Sequence, residues 1–379
     1  MFLFKTPFYS GEVNARRPAL KKGLKHVREL DGMRGCASVA VLVLHLVRTT
    51  RLNPWGTLQP LSWRLLLHFA DFGLFGVNVF FVLSGFLITS LLLADKEKPY
   101  FFRNFYWKRV LRIQPVYLVH LLVMWFLIPG SHGYVFLALI FLVNFDDKFH
   151  VADTGPAWTL SIEEQFYLVW PQVIRRLSLA NIYRTCIVLM VFSGGLRTFE
   201  VITSPVNFSS RSSWYEFDGL AMGALLACEW MTEGEGATPF VRRFLGIFHG
   251  RGCLIVASAY EIFALAGNMA HKRAAFVLLT TNYLAYRAIR YILYHPGSRW
   301  THWLRSAPLL FLGSISYSMY MYHAFFLYIF DRYIGSTTFT WSRFMFRCLF
   351  TIAATLIVCV ASLHLMELPV QRLRKYVVR

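Results

Sequence analysis

The sequence predicts an all-α integral membrane protein of about ten transmembrane helices plus one short re-entrant or interfacial helix, with both termini cytoplasmic. Three observations predict it. Of 379 residues, 56% are hydrophobic and only 16% charged, where a soluble domain carries about 25% charged residues. The apolar residues fall in runs that approach the roughly 20 needed to cross a hydrocarbon core of about 30 Å. The formal charge of +19 collects in blocks between those runs, which is the pattern of positive-inside topology rather than of a nucleic-acid-binding face.

The elements follow in order. Lys5, Arg16, Arg17, Lys21, Lys22, Lys25 and Arg28 precede the first apolar run, and that run leads into Thr49, Thr50 and Arg51. A cleavable signal closes on small residues, so a retained span over 36–53 is expected. The second span, 72–93, ends in a loop whose Lys96, Lys98, Arg103, Lys108 and Arg109 place it inside, and the third, 110–129, leaves again. Tyr134–Phe145 is too short to cross, and Asp146, Asp147 and Asp153 follow it, so it reads as re-entrant or interfacial. The remaining spans are 158–174, 185–203, 214–230, 253–268, 274–292, 307–330 and 344–366. Arg175, Arg176, Arg242, Arg243, Arg287, Arg290, Arg372 and Arg374 then fall inside, and His271, Lys272 and Arg273 are a mild violation. The expected organisation is a basic cytoplasmic segment over 1–27, a membrane domain over 28–374 and a basic tail over 375–379. The six cysteines lie within or at the edge of spans without metal-type spacing, so neither a disulfide framework nor a metal site is expected.

An ionisable group inside a span costs about 2.5–3.5 kcal/mol on insertion scales, so each needs a partner, water or ligand. Arg34 and His45 are separated by ten residues in the stretch Arg28–Val47. Eleven helical steps advance about 16.5 Å through roughly three turns, so the two face the same way at different depths. A neutral imidazole there suits a general base, and a guanidinium below it suits a phosphate. A packing histidine and a plain Asp31–Arg34 helix pair are the structural alternatives. Arg109 and Arg112 share a face at the start of the third span, and with Arg34 they suit an anionic cosubstrate. Glu163 and Glu164 point about 100° apart, so only one can face a given cavity. Arg197, Glu200 and Asp218 either neutralise one another or bind a polar acceptor beside Trp158, Tyr167 and Trp214. Tyr320 and His323, in the run ISYSMYMYH, either pack or line a cavity, and Gly73, Gly76, Ser84 and Gly85 read as small-residue helix packing.

The blocks RELDGMRGCASVAVLVLHL, FGVNVFFVLSGFLIT, KRVLRIQPVY, WTLSIEEQFYLVWP, FDGLAMGALLA, LGSISYSMYMYH and MELPVQRL occur in register from Arg28 to Arg374. Together they resemble acyltransferase family 3, the integral membrane O-acyltransferases. The resemblance implies transfer of an acyl group, commonly acetyl, from acyl-CoA as cosubstrate to a hydroxyl of a glycan or small molecule, in the plasma (bacterial inner) membrane. It implies His45 as catalytic base, and Arg34, Arg109 and Arg112 as donor-binding residues. Glu163 and Glu164 match the acidic motif, Glu163 being the choice for an orienting carboxylate, with Glu164, Arg197, Glu200, Asp218, Tyr320 and His323 as candidates for substrate binding. Gln114, Cys36 and Ser38 depart from the usual pattern without removing a charged group. Some members carry a further extracytoplasmic domain, and this length leaves no room for one, so acceptor choice is expected in the membrane domain or a partner. The expected partners are the bilayer and a hydroxyl acceptor, with oligomers or envelope glycan-assembly proteins left open. A transporter or flippase using the same intramembrane charges is the rival; it predicts internal repeats, and none is visible.

Overall fold

The computed structural model describes residues 26–48, 66–67, 70, 73–145, 156–203, 211–266, 274–334 and 340–377. The basic segment up to Lys25, the acidic loop with Asp146, Asp147 and Asp153, and the His271–Arg273 stretch lie outside the described residues. Every described element is helical. The long helices are α1 (Arg28–Arg48), α2 (Gly73–Asp95) and α3 (Phe101–Leu127), followed by the short α4 (His132–Leu139), then α5 (Ala157–Arg176), α6 (Leu179–Thr203) and α7 (Ser213–Thr232). After them come α8 (Pro239–Phe248), α9 (Arg251–Ala266), α10 (Ala274–Tyr294), α11 (Ala307–Ser314), α12 (Ser316–Ile329) and α13 (Trp341–Ser362), with short C-terminal helices α14 (Leu368–Arg372) and α15 (Arg374–Val377).

Among the described residues, five helical stretches are long and apolar enough to cross a membrane: Arg28–Arg48, Gly73–Asp95, Phe101–Leu127, Leu179–Glu200 and Trp341–Val377. The other expected spans are helical over their described residues, but length, polar groups or breaks set them apart. Helix α5 carries Glu163 and Glu164, α7 carries Glu216, Asp218 and Glu229, and the expected span over 307–330 is interrupted at Ile315 into α11 and α12. Tyr134–Phe145 is not one helix: α4 has eight residues, and a turn and a single 3₁₀ turn over Val143–Phe145 follow. Eight residues rise about 12 Å, well short of a bilayer core. Tyr117 Oη donates to the Ala138 carbonyl (2.7 Å) and Gln165 Nε2 to the Phe141 carbonyl (2.6 Å), so this irregular backbone is satisfied by protein.

Helix α2 is the axis of the bundle, packing on α1, α3, α5, α7 and α10. Its closest neighbour is α7, because Gly85 lies against the Leu220 carbonyl while Gly223 of α7 lies against the Val82 carbonyl. Small residues drive such close approach in lipid. Outward positions of the bundle remain apolar and exposed, as with Leu122 and Phe126 of α3, Val188 and Phe192 of α6, and Leu349 and Ile357 of α13. They form a hydrocarbon-facing girdle rather than a wetted surface.

Two ties fix α1. At its start Glu29 pairs with Arg305, 2.5 Å away, and at its end Arg347 of α13 donates to the Leu46 carbonyl (2.7 Å) while holding Asp331 (2.7 and 2.8 Å). Helix α1 also begins eight residues before the apolar run, because Glu29 and Asp31 in its first turn find partners in Arg305 and in His26 (2.6 Å).

Candidate active site

A cavity of about 110 Å³ opens between α1, α2, α3, α5 and α12. Its polar lining is Arg34 from α1, Ser84 from α2, Arg109 and Arg112 from α3, Thr159, Glu163 and Tyr167 from α5, and Ser316, Tyr317 and Tyr320 from α12. Apolar side chains such as Phe80, Leu83, Ile88 and Leu160 make up the rest. One water takes about 10–15 Å³ on the same scale, so the cavity has room for several waters or a ligand segment of similar size.

Helical spacing puts these groups on one wall each. Arg109 and Arg112 are three apart on α3, Glu163 and Tyr167 four apart on α5, and Tyr317, Tyr320 and Met321 recur on one face of α12. Ser84 Oγ donates to Glu163 Oε1 (2.6 Å) and contacts Tyr167 Oη (3.1 Å), and Tyr167 Oη donates to Glu163 Oε2 (3.1 Å). Both carboxylate oxygens of Glu163 are thus held. Ser84, read from its glycine neighbours as packing, is part of this cluster; only a carboxylate from a distant helix distinguishes the two roles. Glu164 turns elsewhere, with Oε1 buried and unpartnered among the described residues, as the 100° rule for adjacent residues requires.

Arg34 makes no hydrogen bond or ion pair among the described residues, and the nearby Asp31 meets His26 instead. Arg109 lies over the Tyr167 ring at 5.2 Å and the Phe105 ring at 5.9 Å, while its Nε is buried without a hydrogen-bond partner. Three guanidinium groups thus share the cavity with the single Glu163 carboxylate, which leaves its lining with an excess of positive charge.

His45 does not line the cavity. Beyond Tyr320, whose hydroxyl meets Thr159 Oγ1 at 2.9 Å, His323 follows with its ring centroid 6.0 Å from that of Tyr320. His323 Nε2 is 3.3 Å from His45 Nδ1. Of the remaining predicted residues, Arg197 and Asp218 are fully buried and form an ion pair with each other, extended by Asn282 Nδ2 to Asp218 (3.1 Å) and Asn78 Nδ2 to Asn282 (2.7 Å). Glu200 sits beside the Tyr215 phenol. None of these three lines the cavity.

Residues 27–363 match the profile of a family described as an acyltransferase domain. Among curated proteins, the O-acetyltransferase OatA of Staphylococcus aureus is 26% identical over 328 residues, covering 79% of this chain and 50% of its own. The peptidoglycan O-acetyltransferase OatA of Listeria monocytogenes is 24% identical over 387 residues, covering 92% of this chain and 56% of its own. The chain therefore spans about half the length of the curated relatives it matches. No solved structure is a significant match.

Proposed function

This chain belongs to the acyltransferase domain family, acyltransferase family 3, and from that premise we propose that it moves an acetyl group from acetyl-CoA to a hydroxyl of a glycan. The observation that carries the reading is the convergence of Arg34, Arg109 and Arg112 with Glu163 in one cavity. The arginines hold the phosphates of the donor, and the pantetheine arm runs along the cavity toward the Tyr320 end. His45 takes the proton of the acceptor hydroxyl as its oxygen attacks the thioester carbonyl; the carbon–sulfur bond then breaks and the proton passes to the departing thiolate. General-base help of this kind is worth about 10²–10⁴-fold. Glu163, held by Ser84 and Tyr167, orients the arginine cradle. Glu164, Arg197, Glu200 and Asp218 stand behind the site on this reading and shape the protein around it. The relatives' names make a peptidoglycan-type glycan the acceptor class to try first.

The same reading gives about ten crossings with both ends cytoplasmic, so that the phosphate end of the cavity meets the cytoplasmic donor. The deciding experiment uses purified full-length protein, labelled acetyl-CoA and peptidoglycan oligosaccharides. His45→Ala is expected to bind acetyl-CoA and lose transfer, and full transfer by that variant sinks the reading.

A further inference from the structure

We propose that His323 is a positioning residue for His45, fixing which of its ring nitrogens carries the proton; the assignment rests on the reading of His45 as the base. The proton arrangement follows from what the two Nδ1 atoms face. His323 Nδ1 lies 2.9 Å from the Met319 carbonyl, and His45 Nδ1 lies 2.8 Å from the Val41 carbonyl. A carbonyl oxygen only accepts, so in each ring Nδ1 bears the hydrogen. A neutral His323 then has a bare Nε2, and that atom faces His45 Nδ1 at 3.3 Å, with the rings edge to face at 66°. The Nδ1–H of His45 is shared between the Val41 carbonyl and His323 Nε2, and Nε2 of His45 is the basic nitrogen.

The opposite arrangement, His323 Nε2–H donating to a bare His45 Nδ1, sets two lone pairs against the Val41 carbonyl. Burial supports neutrality: His323 is 1% exposed. When His45 takes the acceptor's proton, its Nδ1–H becomes a stronger donor, and the imidazolium is stabilised by an acceptor already in place. An acceptor on the far nitrogen of a catalytic histidine does the same in hydrolase triads, where the wrong tautomer costs about 10⁴-fold. Here the acceptor is a second imidazole whose own tautomer is set by its helix backbone, one turn back.

The test combines three variants with a direct reading of the tautomer in purified full-length protein. His323→Leu keeps bulk and removes the acceptor; it is expected to lower kcat by about 10²-fold while leaving the KM for acetyl-CoA within about twofold. His323→Gln places an amide oxygen where Nε2 stood and is expected to recover most of that loss. Nitrogen NMR of ¹⁵N-histidine-labelled protein, assigned with His45→Ala and His323→Leu, should show Nδ1–H in both rings. Wild-type kcat in His323→Leu, equal inactivity of the Leu and Gln variants, or a His323 Nε2–H tautomer each overturns the proposal. Full activity of His45→Ala overturns the underlying reading instead, and the tautomer measurement separates the two failures.

Discussion

Two arginines of this chain illustrate what decides a residue's role. Arg197 donates to Asp218 and to the Tyr215 carbonyl in a fully buried cluster, whereas Arg109 lies over aromatic faces and lines the cavity. Removing one partner of a buried pair leaves an uncompensated charge, so Asp218→Asn is expected to cost about 3–5 kcal/mol, seen as a lowered Tm in detergent. An unaltered Tm would count against a structural role for the pair. Arg109→Ala is expected to raise the KM for acetyl-CoA about tenfold, the size of one charge-assisted contact, and an unchanged KM removes Arg109 from the phosphate cradle. From the sequence, Arg34, Arg109 and Arg112 were legible as a group, since spacing and family motif both single them out. The fate of Arg197 was not, because its partner lies on the next helix and its further bonds run through Asn282 and Asn78. His45 facing another histidine was equally hidden, since 278 positions separate them.

At the scale of helices, the crossing of α2 and α7 is the most exacting contact. A Cβ at Gly85 would run into the Leu220 carbonyl, which is backbone and cannot yield by turning a side chain. Gly85→Val is therefore expected to destabilise by about 1–3 kcal/mol or more and, by shifting Ser84 from Glu163, to lower activity with it. Gly195→Ala on α6, where a Cβ meets nothing, is the contrast: neutral to about 1 kcal/mol stabilising in the same thermal assay. Loss of stability in both variants would show that crowding is not the cause. Apolar run length located these helices well, because the hydrocarbon core imposes it. It could not place the interruption at Ile315, since the run over 307–330 reads as continuous and only packing distinguishes its two halves, α11 lying along α1 more extensively than α12 does.

Across the whole molecule, stability should depend on acidity through a loop histidine far from the cavity. His249, between α8 and α9, contacts Tyr286 Oη at 2.6 Å and lies 3.5 Å from Glu229, and burial lowers its pKa from 6.5 to about 4. Between those values the unfolded chain binds the proton and the folded one does not. Stability present above pH 6.5 is thus lost as the pH falls toward 4. Melting curves in detergent across this window should show the decline, and His249→Gln should flatten it; an equal slope in both would assign the dependence to other groups.

The two ties on α1 carry a consequence for the proposed donor. Glu29 with Arg305 and the Leu46 carbonyl with Arg347 clamp this helix on either side of Arg34 and His45. A rod fastened at both ends works as a calliper: its jaws stay about 16.5 Å apart whatever lies between them. On the proposed reading, selectivity for an acyl carrier then becomes a matter of span. A thioester on a truncated arm, gripped by its phosphates, would stop short of the histidine, and one without phosphates would arrive ungripped.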